Sequence, residues 1–414
     1  MTLPDLDGAR LWSDLMTMGA IGGTEAGGSY RPALTQTDAA GRALFRHWAE
    51  EAGMTVTVDA IGNTIARRPG SEDLPPVMIG SHLDTQMPGG KFDGVLGVLA
   101  GLAVVRALND ADIATRHPLE VVNWTNEEGA RYQPGVMGSA VFAGLLPLDA
   151  ALSRRDRDGT VLADDLIRHR LAGPVTPGHP VHRYLELHIE QGPILEAEGT
   201  DIGIVTRSTF MCSGFVEVHG ANAHAQIQPM GQRKNALSAA ARLILAIDDI
   251  GQAVDPAGRV SATVIDNWPN NRVNIPHLTK LTYMAVHETA EGLADINARI
   301  RAAADAIGAD TRTRIAIDPA HPREAVDFCP ELRATAAGLA ADMGLSVREM
   351  TTLTAHDALS MTTVCASALI FVPCRDGISH AEDEWCSPED ATTGARLLLA
   401  MTLDQAERMT EAKD

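Results

Sequence analysis

The chain has 414 residues, of which 45% are hydrophobic and 21% charged, and its formal net charge at pH 7 is −20. This length exceeds what one hydrophobic core ordinarily serves, so two domains are expected. The acidic excess and the lack of a Lys/Arg-rich run exclude the basic surface that a nucleic-acid partner requires.

The N-terminal sequence and the cysteines favour a cytoplasmic protein without a membrane partner. The first residues, MTLPDLDGARLW, lack the basic segment and apolar core of a secretory signal. No run of about 18 apolar residues is present to span a bilayer. The five cysteines are odd in number and widely spaced, which favours reduced thiols over a disulfide framework.

The first half of the chain alternates between predicted helices and strands. Apolar residues at helical spacing and a stop at Gly53 predict a helix over 36–53. The run 75–85, PPVMIGSHLDT, is apolar until its polar end, which is typical of a strand buried on both faces. Further elements are strands over 54–60 and 119–128 and a helix over 93–109. Polar residues just beyond strand ends indicate an α/β domain whose site lies at the carboxyl ends of its strands.

The second half contains a segment of different character. After a strand and a helical turn over 183–195, the sequence alternates as in antiparallel sheets, with helices predicted over 233–250 and 289–307. The chain then returns to two long helices, 331–343 and 389–408, around a buried strand over 366–373. We therefore predict an α/β catalytic domain made of residues 1–208 and 322–414, with an α+β domain over 209–321 inserted between them.

Candidate metal ligands lie at several predicted strand ends. Divalent metals bind carboxylate and imidazole groups that converge from rigid elements. Such groups occur at four places: His82 with Asp84, Asp93 between glycines, the pair Glu127–Glu128, and lastly His188 and His380. Because His82 and Asp84 are two residues apart, they face the same side of an extended strand end, where Asp84 can hold the second ring nitrogen of His82.

The adjacent glutamates are predicted to have different roles. Neighbouring side chains point in different directions, so one of Glu127 and Glu128 can bind metal while the other acts as general base. Taken singly, a histidine at a strand end is usually a structural residue and a Glu–Glu pair is usually solvated surface. Both sets here are embedded in apolar strand ends beside glycine-rich turns, which favours the functional interpretation.

Five motifs in order resemble the N-carbamoyl-L-amino-acid hydrolase and allantoate amidohydrolase family, a branch of the zinc-peptidase-like amidohydrolases. They are GSHLDTQMPGGKFDGVLGVLAGL, NWTNEEGARYQPGVMGS, ELHIEQGPILE, GANAHAQIQPM and FVPCRDGISHAEDEWCSPED. The resemblance covers about residues 20 to 395. It implies a two-domain α/β enzyme with a zinc-peptidase-like catalytic domain, an inserted lid and dimerisation domain, and two divalent ions per subunit.

The resemblance also assigns roles by motif position. One ion is expected on His82, Asp93 and His188, and the other on Asp93, Glu128 and His380, with Asp93 bridging. Zn²⁺ is the expected metal, and Mn²⁺, Co²⁺ or Ni²⁺ are alternatives. Glu127 is expected to be the base, and Asp84 is expected to orient His82. Gln191 is expected to contact the ureido or acyl group, and Asn274 to bind the substrate. His224, usually from the partner subunit of a homodimer, is expected to stabilise the oxyanion.

Two departures from the family pattern concern the substrate. Gln226 and Gln228 follow His224 where small residues are usual, and Met284 and Val286 stand where the family carries an Asp-x-Arg whose arginine clamps the substrate's α-carboxylate. A bidentate guanidinium is hard to replace in carboxylate recognition. Either Arg272, in a loop shortly upstream, approaches the same pocket as Val286 and replaces the clamp, or the substrate carries a bulkier, less charged group there.

The sequence is compatible with two enzymatic functions and argues against a third, non-catalytic one. The first is hydrolysis of the C–N bond of an N-carbamoyl (ureido) amino acid or a ureido acid such as allantoate, by attack of a metal-bound water. The second is hydrolysis of an N-acyl or conjugated amino acid on the same site. A non-catalytic relative would lack a ligand or the base, and every expected residue is present.

Overall fold

The computed structural model describes residues 3–318 and 322–407, which form two compact units. Unit 1 comprises Met1–Thr206, Phe328–Met350 and Ala355–Asp414, and unit 2 comprises Arg207–Asp327 and Thr351–Thr354. The division predicted at 208/209 and 321/322 differs from these limits by two residues at the first boundary and six at the second, and it remains a prediction. Residue 321 is outside the described residues. The predicted lid and dimerisation roles of the inserted segment remain proposals.

Unit 1 is built on a mixed sheet of eight strands in the order β1-β2-β4-β3-β5-β14-β6-β13. The strands are β1 Thr55–Val58, β2 Thr64–Arg68, β3 Val77–His82, β4 Leu119–Trp124, β5 Arg183–Ile189, β6 Ile202–Ser208, β13 Val347–Thr352 and β14 Ala366–Val372. The four central strands, β4, β3, β5 and β14, are parallel, so their carboxyl ends meet at one edge. Strand β3 is buried along its whole length, as its continuous apolar sequence predicts.

Helices cover the sheet of unit 1. They are α1 Gly8–Ala20, α2 Gln36–Glu51, α3 Val95–Asp110, α4 Met137–Phe142, α5 Leu148–Leu152, α6 Leu162–Arg168, α7 Ile194–Glu198, α10 Pro330–Asp342, α11 Asp357–Met361 and α12 Pro388–Glu407. Residues Val95 to Leu108 of α3 are all buried, because this helix packs on the sheet and also against α1 and α12. The core therefore anchors the helix whose first turn follows Asp93.

Unit 2 is an antiparallel sheet in the order β12-β7-β11-β9, with two helices on one face. Its elements are β7 Phe210–His219, β8 Ala223–His224, α8 Ala236–Val254, β9 Gly258–Trp268, β10 Asn274–Ile275, β11 Leu278–His287, α9 Ala290–Thr311 and β12 Arg314–Asp318. Alternate residues of β11 (Leu281, Tyr283 and Ala285) are buried in a core that they share with both helices. Apart from the short strands β8 and β10, these elements follow the order β-α-β-β-α-β.

The predicted fold class is confirmed, and the boundaries of the long elements agree to within a few residues. The shorter elements, such as β2, β6 and β13 and the helices of five to seven residues, have too little periodicity to be predicted. The predicted helix 389–408 is observed as Pro388–Glu407, with residue 408 outside the described residues. No helix in the described ranges is both long and apolar enough to cross a membrane.

Candidate metal centre

The predicted ligands of unit 1 collect where its parallel strands end. His82 is the last residue of β3 and pairs in register with Trp124, the last residue of β4. Glu127 and Glu128 follow β4 by three and four residues, and His188 is next to last in β5. Parallel strands bring these carboxyl ends to a common edge, as the sequence pattern predicts.

Asp93 lies at the centre of this cluster, because its two carboxylate oxygens face different imidazoles. Its Oδ1 lies 3.6 Å from His82 Nε2 and 3.1 Å from His188 Nε2. Its Oδ2 lies 3.3 Å from His380 Nε2, which is also 3.2 Å from Glu128 Oε2. Two groups of possible metal ligands result, His82–Asp93–His188 and Asp93–Glu128–His380, and Asp93 belongs to both.

Hydrogen bonds fix the ring orientation of the two buried histidines. The Nδ1–H of His82 donates to the backbone carbonyl of Asp84 at 2.9 Å, and the Nδ1–H of His188 donates to that of Ile189 at 3.0 Å. A carbonyl oxygen only accepts, so each Nδ1 carries the proton. In the neutral ring the lone pair then lies on Nε2, the nitrogen that faces Asp93, as a metal ligand requires.

Gly94 lets the helix start approach His82 closely. A Cβ on Gly94 would lie 2.3 Å from His82 Nε2, and the backbone of Gly94 has a φ of +66°. Both facts require glycine, because a side chain would collide with the imidazole and the left-handed conformation disfavours other residues. The glycine after Asp93 is therefore part of the site's geometry.

Three residues at the site with side chains larger than glycine adopt left-handed backbone conformations. Asn126, Gln191 and His380 have φ values of 55°, 56° and 55°. Such conformations cost free energy and persist where surrounding contacts impose them, often at functional sites. The Asn126 amide donates to the carbonyls of Tyr132 and Pro134, which holds the loop that presents Glu127 and Glu128.

The electrostatics of the cluster are those of closely spaced acids. Burial raises the pKa of Glu128 to about 7, and the nearby Asp93 carboxylate adds to this shift. Burial also raises the pKa of Glu127 well above its usual range, against the influence of His82. Burial favours a raised pKa for Asp93 too, but hydrogen bonds from His188, His380 and His82 hold that pKa well below its usual range. A cation among these carboxylates would offset their mutual repulsion.

The donor set fits a pair of divalent ions. Two ligands at about 2.1 Å from one ion in a tetrahedral arrangement lie roughly 3.4 Å apart. Three distances join the Asp93 oxygens to imidazole nitrogens, and a fourth joins His380 to Glu128. All four lie between 3.1 and 3.6 Å. Imidazole nitrogen and carboxylate oxygen suit Zn²⁺, Mn²⁺, Co²⁺ and Ni²⁺, so the groups predicted from sequence lie together with suitable chemistry.

A third group, Glu186–His188–His356, also lies close enough to hold an ion. However, both ring nitrogens of His188 are committed, one to the Ile189 carbonyl and the other to the Asp93 side. The Glu186 carboxylate accepts hydrogen bonds from Ser81, Tyr184 and the backbone of Ala358. This group is therefore a buried polar support beneath the cluster.

The Asp84 carboxylate does not bind the second ring nitrogen of His82 as predicted. Its carboxylate lies 3.9 Å from His82 Nδ1, and the ring bonds instead to the Asp84 backbone carbonyl. The carboxylate accepts the backbone N–H groups of Glu127 at 3.2 Å and Glu128 at 3.3 Å. Asp84 thus orients His82 through its main chain and positions the two glutamates through its side chain. A sequence pattern cannot distinguish these two routes.

Several residues at the site were not predicted. The Gln86 amide donates to Glu128 Oε2 at 2.7 Å. The predicted substrate contact Gln191 donates to Asp93 Oδ2 at 2.9 Å and to Ser379 Oγ at 3.0 Å. Glu384, also unpredicted, is 1% exposed and bonds to the backbone of Asp93. The only sequence signal for Glu384 is its place in the motif DGISHAEDEW, where neighbouring acids suggest solvated surface.

In unit 2, His224 and Asn274 are brought together. They are register partners in the short β8–β10 pair, and His224 is exposed. His224 Nδ1 accepts the backbone N–H groups of Gln226 and Ile227 at 3.2 and 3.4 Å. The proton of a neutral ring therefore lies on Nε2, which makes Nε2 a donor. Because backbone groups provide these bonds, the unusual side chain of Gln226 does not prevent them.

The expectation that Arg272 and Val286 approach one pocket is wrong within unit 2. Arg272 precedes β10, near the start of β11, whereas Val286 lies eight residues beyond the first residue of β11. At about 3.4 Å per residue, the two positions are separated by roughly 27 Å along the strand. Arg272 instead lies on the segment that carries Asn274, is exposed, and has no hydrogen bond or ion pair within the described part of the chain.

Comparison with known proteins agrees with the site. The sequence profile of peptidase family M20/M25/M40 matches residues 78–404. The chain belongs to this family. It is 40% identical over 404 residues to an N-carbamoyl-L-amino-acid amidohydrolase of Rhizobium meliloti, covering 96% of each chain. It is 28% identical over 400 residues to an allantoate deiminase of Arabidopsis thaliana, covering 86% of this chain and 74% of that protein.

Solved structures show the same fold. A crystal structure of a hydantoinase/carbamoylase family amidase from Burkholderia vietnamiensis superposes with a TM-score of 0.94 at 41% identity, covering 97% of this chain and 98% of that one. The resemblance inferred from the motifs is confirmed. The M20 chain is a hydrolase that acts on carbon–nitrogen bonds other than peptide bonds, and enzymes of this family typically depend on two metal ions.

The close approach of Gly94 to His82 yields a test of the site. We expect Gly94→Ala to lower the metal content of purified protein strongly, because the new methyl group displaces the His82 ring. Gly338→Ala is the matched control, since a Cβ there meets nothing within 4 Å. Metal content measured by mass spectrometry distinguishes them, and equal metal content in both variants would contradict the described geometry.

Proposed function

We propose that this M20 hydrolase cleaves the C–N bond of an N-carbamoyl amino acid or a related ureido acid such as allantoate. The observation that carries the proposal is the Asp93 carboxylate shared between two groups of possible metal ligands, with Glu127 3.5 Å from His82 of the first group. The names of its relatives, an N-carbamoyl-L-amino-acid amidohydrolase and an allantoate deiminase, support this substrate class. An N-acyl amino acid is the alternative substrate for the same groups.

Two divalent ions are proposed as cofactors. His82, Asp93 and His188 would hold one, and Asp93, Glu128 and His380 the other, with Zn²⁺ expected and Mn²⁺, Co²⁺ or Ni²⁺ as alternatives. When bound, such ions lower the pKa of water and polarise a scissile carbonyl.

Glu127 is proposed as the general base. Its Oε2 lies 3.5 Å from His82 Nε2, so it faces the ligand cluster, and Asp84 holds its backbone N–H. Glu127 accepts a proton from the attacking water and returns it to the leaving nitrogen. Burial keeps the pKa of this carboxyl well above its usual range, which favours the protonated form needed for the second step.

Three residues of unit 2 are proposed to bind the substrate. The Nε2–H of His224 is a donor that can stabilise an oxyanion, and Asn274 lies opposite it with its amide bonded to Asn222. The exposed Arg272 guanidinium, on the same segment, is proposed to bind the substrate carboxylate. Gln191 is proposed to contact the ureido group.

We also propose a homodimer that forms through the inserted segment and a location in the cytoplasm. The dimer proposal rests on the family resemblance. The cytoplasmic proposal is supported by the five cysteines, which are all free. Neither proposal affects the chemistry assigned to unit 1.

Released ammonia decides between the two substrate classes. Hydrolysis of a ureido acid yields ammonia and carbon dioxide, whereas hydrolysis of an N-acyl amino acid yields a carboxylic acid and no ammonia. We expect ammonia from N-carbamoyl amino acids or allantoate, loss of activity on chelation, and recovery with Zn²⁺, Mn²⁺, Co²⁺ or Ni²⁺. Turnover of N-acyl substrates alone would favour the alternative, and full turnover by metal-free protein would refute the metal mechanism.

Paired glutamate variants separate base from ligand. We expect Glu127→Gln to retain both metal ions and to lower kcat about 10²- to 10⁴-fold, because it removes the proton acceptor. Glu128→Gln should in addition lower metal content, because Glu128 faces His380 at ligand distance. Steady-state kinetics and metal analysis on the same preparations provide the test. A near-normal kcat for Glu127→Gln would show that another group is the base.

A pair of arginine variants tests carboxylate binding. We expect Arg272→Ala to raise KM roughly 10- to 100-fold with little change in kcat, because a hydrogen bond to a charged group is lost. Arg259→Ala is the control, since Arg259 is the register partner of Val286 at the other end of β11. An unchanged KM for Arg272→Ala would rule out this role. A raised KM for Arg259→Ala instead would place carboxylate binding near Val286.

A further inference from the structure

Glu384 bonds to the backbone of Asp93 and also to Ser379, which contacts the Asp93 side chain. Its Oε1 accepts the backbone N–H groups of Phe92 and Asp93, each at 3.0 Å. Its Oε2 accepts the Ser379 hydroxyl at 2.9 Å. The carboxylate is so close to the chain before Asp93 that a Cβ on Gly90 would lie 1.9 Å from Oε1. Glu384 thus fills a space that Gly90 leaves open.

The Ser379 hydroxyl lies between two carboxylates. Its Oγ is 2.9 Å from Glu384 Oε2 and 3.2 Å from Asp93 Oδ2, and it accepts a hydrogen bond from the Gln191 amide at 3.0 Å. A hydroxyl has one proton to donate, so it can satisfy only one of the two carboxylates. The shorter contact favours Glu384. Asp93 Oδ2, which faces His380, then keeps a lone pair available.

We propose that Glu384 is a positioning residue which draws the Ser379 proton away from Asp93. Asp93 Oδ2 then accepts only the Gln191 amide, at 2.9 Å, and keeps its second lone pair for a cation. This inference rests on the proposed metal centre and concerns only metal affinity. In this arrangement the Ser379 hydroxyl does not reduce metal binding by Asp93, because its proton is directed to Glu384. Glu384 thereby sets how strongly Asp93 Oδ2 binds the ion proposed for the Asp93–Glu128–His380 group.

The substitution Glu384→Gln should redirect the Ser379 proton to Asp93. A glutamine of the same shape can keep its carbonyl oxygen on the two backbone N–H groups, which leaves its NH₂ facing Ser379. Ser379 then accepts from both Gln191 and the new amide, and its only proton must go to Asp93 Oδ2. That hydrogen bond competes with a cation for the same oxygen.

The experiment measures Zn²⁺ affinity of the metal-free full chain by competition with a chromogenic chelator, without substrate. We expect Glu384→Gln to weaken Zn²⁺ binding about 10- to 100-fold, the usual effect of losing a partner of a metal ligand. Ser379→Ala should bind Zn²⁺ about as tightly as the unmodified protein, because the hydroxyl proton is already directed to Glu384. The double variant should regain the affinity of Ser379→Ala. Asp383→Asn, an exposed neighbour with the same charge change, is the control.

Rescue distinguishes this role from a merely structural one. If Glu384 only supports the fold, removing the Ser379 hydroxyl cannot restore affinity, and a double variant as weak as Glu384→Gln would overturn the proposal. Unchanged affinity in Glu384→Gln would overturn it as well. Should Glu384→Gln fail to fold, Ser379→Ala still decides, because weaker Zn²⁺ binding by this variant contradicts the proposal. Failure of ureido-acid hydrolysis would leave these affinities unaffected.

Discussion

The shared carboxylate of Asp93 is the interaction on which the site depends. One oxygen faces His82 and His188, and the other faces His380. Three imidazoles hold the pKa of this buried carboxylate well below its usual range. Burial keeps the pKa values of Glu127 and Glu128 raised, although each faces one imidazole. The cluster is therefore an unbalanced set of charges that is suited to binding cations.

Rigid strands and a buried helix hold this arrangement in place. Parallel strands end at one edge, so residues far apart in sequence meet there. A helix that is buried from Val95 to Leu108 begins two residues after Asp93. Close contacts then define the detail: glycine at 94 admits the His82 ring, and glycine at 90 admits Glu384. Such precise support is what ligand sites require, because small displacements weaken both metal binding and catalysis.

The strand-end residues could be predicted from sequence because burial and polarity change abruptly there. His82, Asp93, Glu128, His188 and His380 lie together as predicted, and their roles as ligands remain proposals. Hydrogen-bond routes could not be predicted, since the carbonyl of Asp84 and its carboxylate share one position in the sequence. Glu384 was missed because its neighbours are acidic, and the supposed proximity of Arg272 to Val286 failed because the length of β11 separates them.

The most direct test of the account is an anomalous-diffraction map of zinc-loaded crystals, recorded above and below the zinc absorption edge. The account predicts two peaks per chain, one beside His82 and His188 and the other beside Glu128 and His380, each in contact with one oxygen of Asp93. A single peak, or two peaks of which Asp93 contacts only one, would contradict the central role of the shared carboxylate.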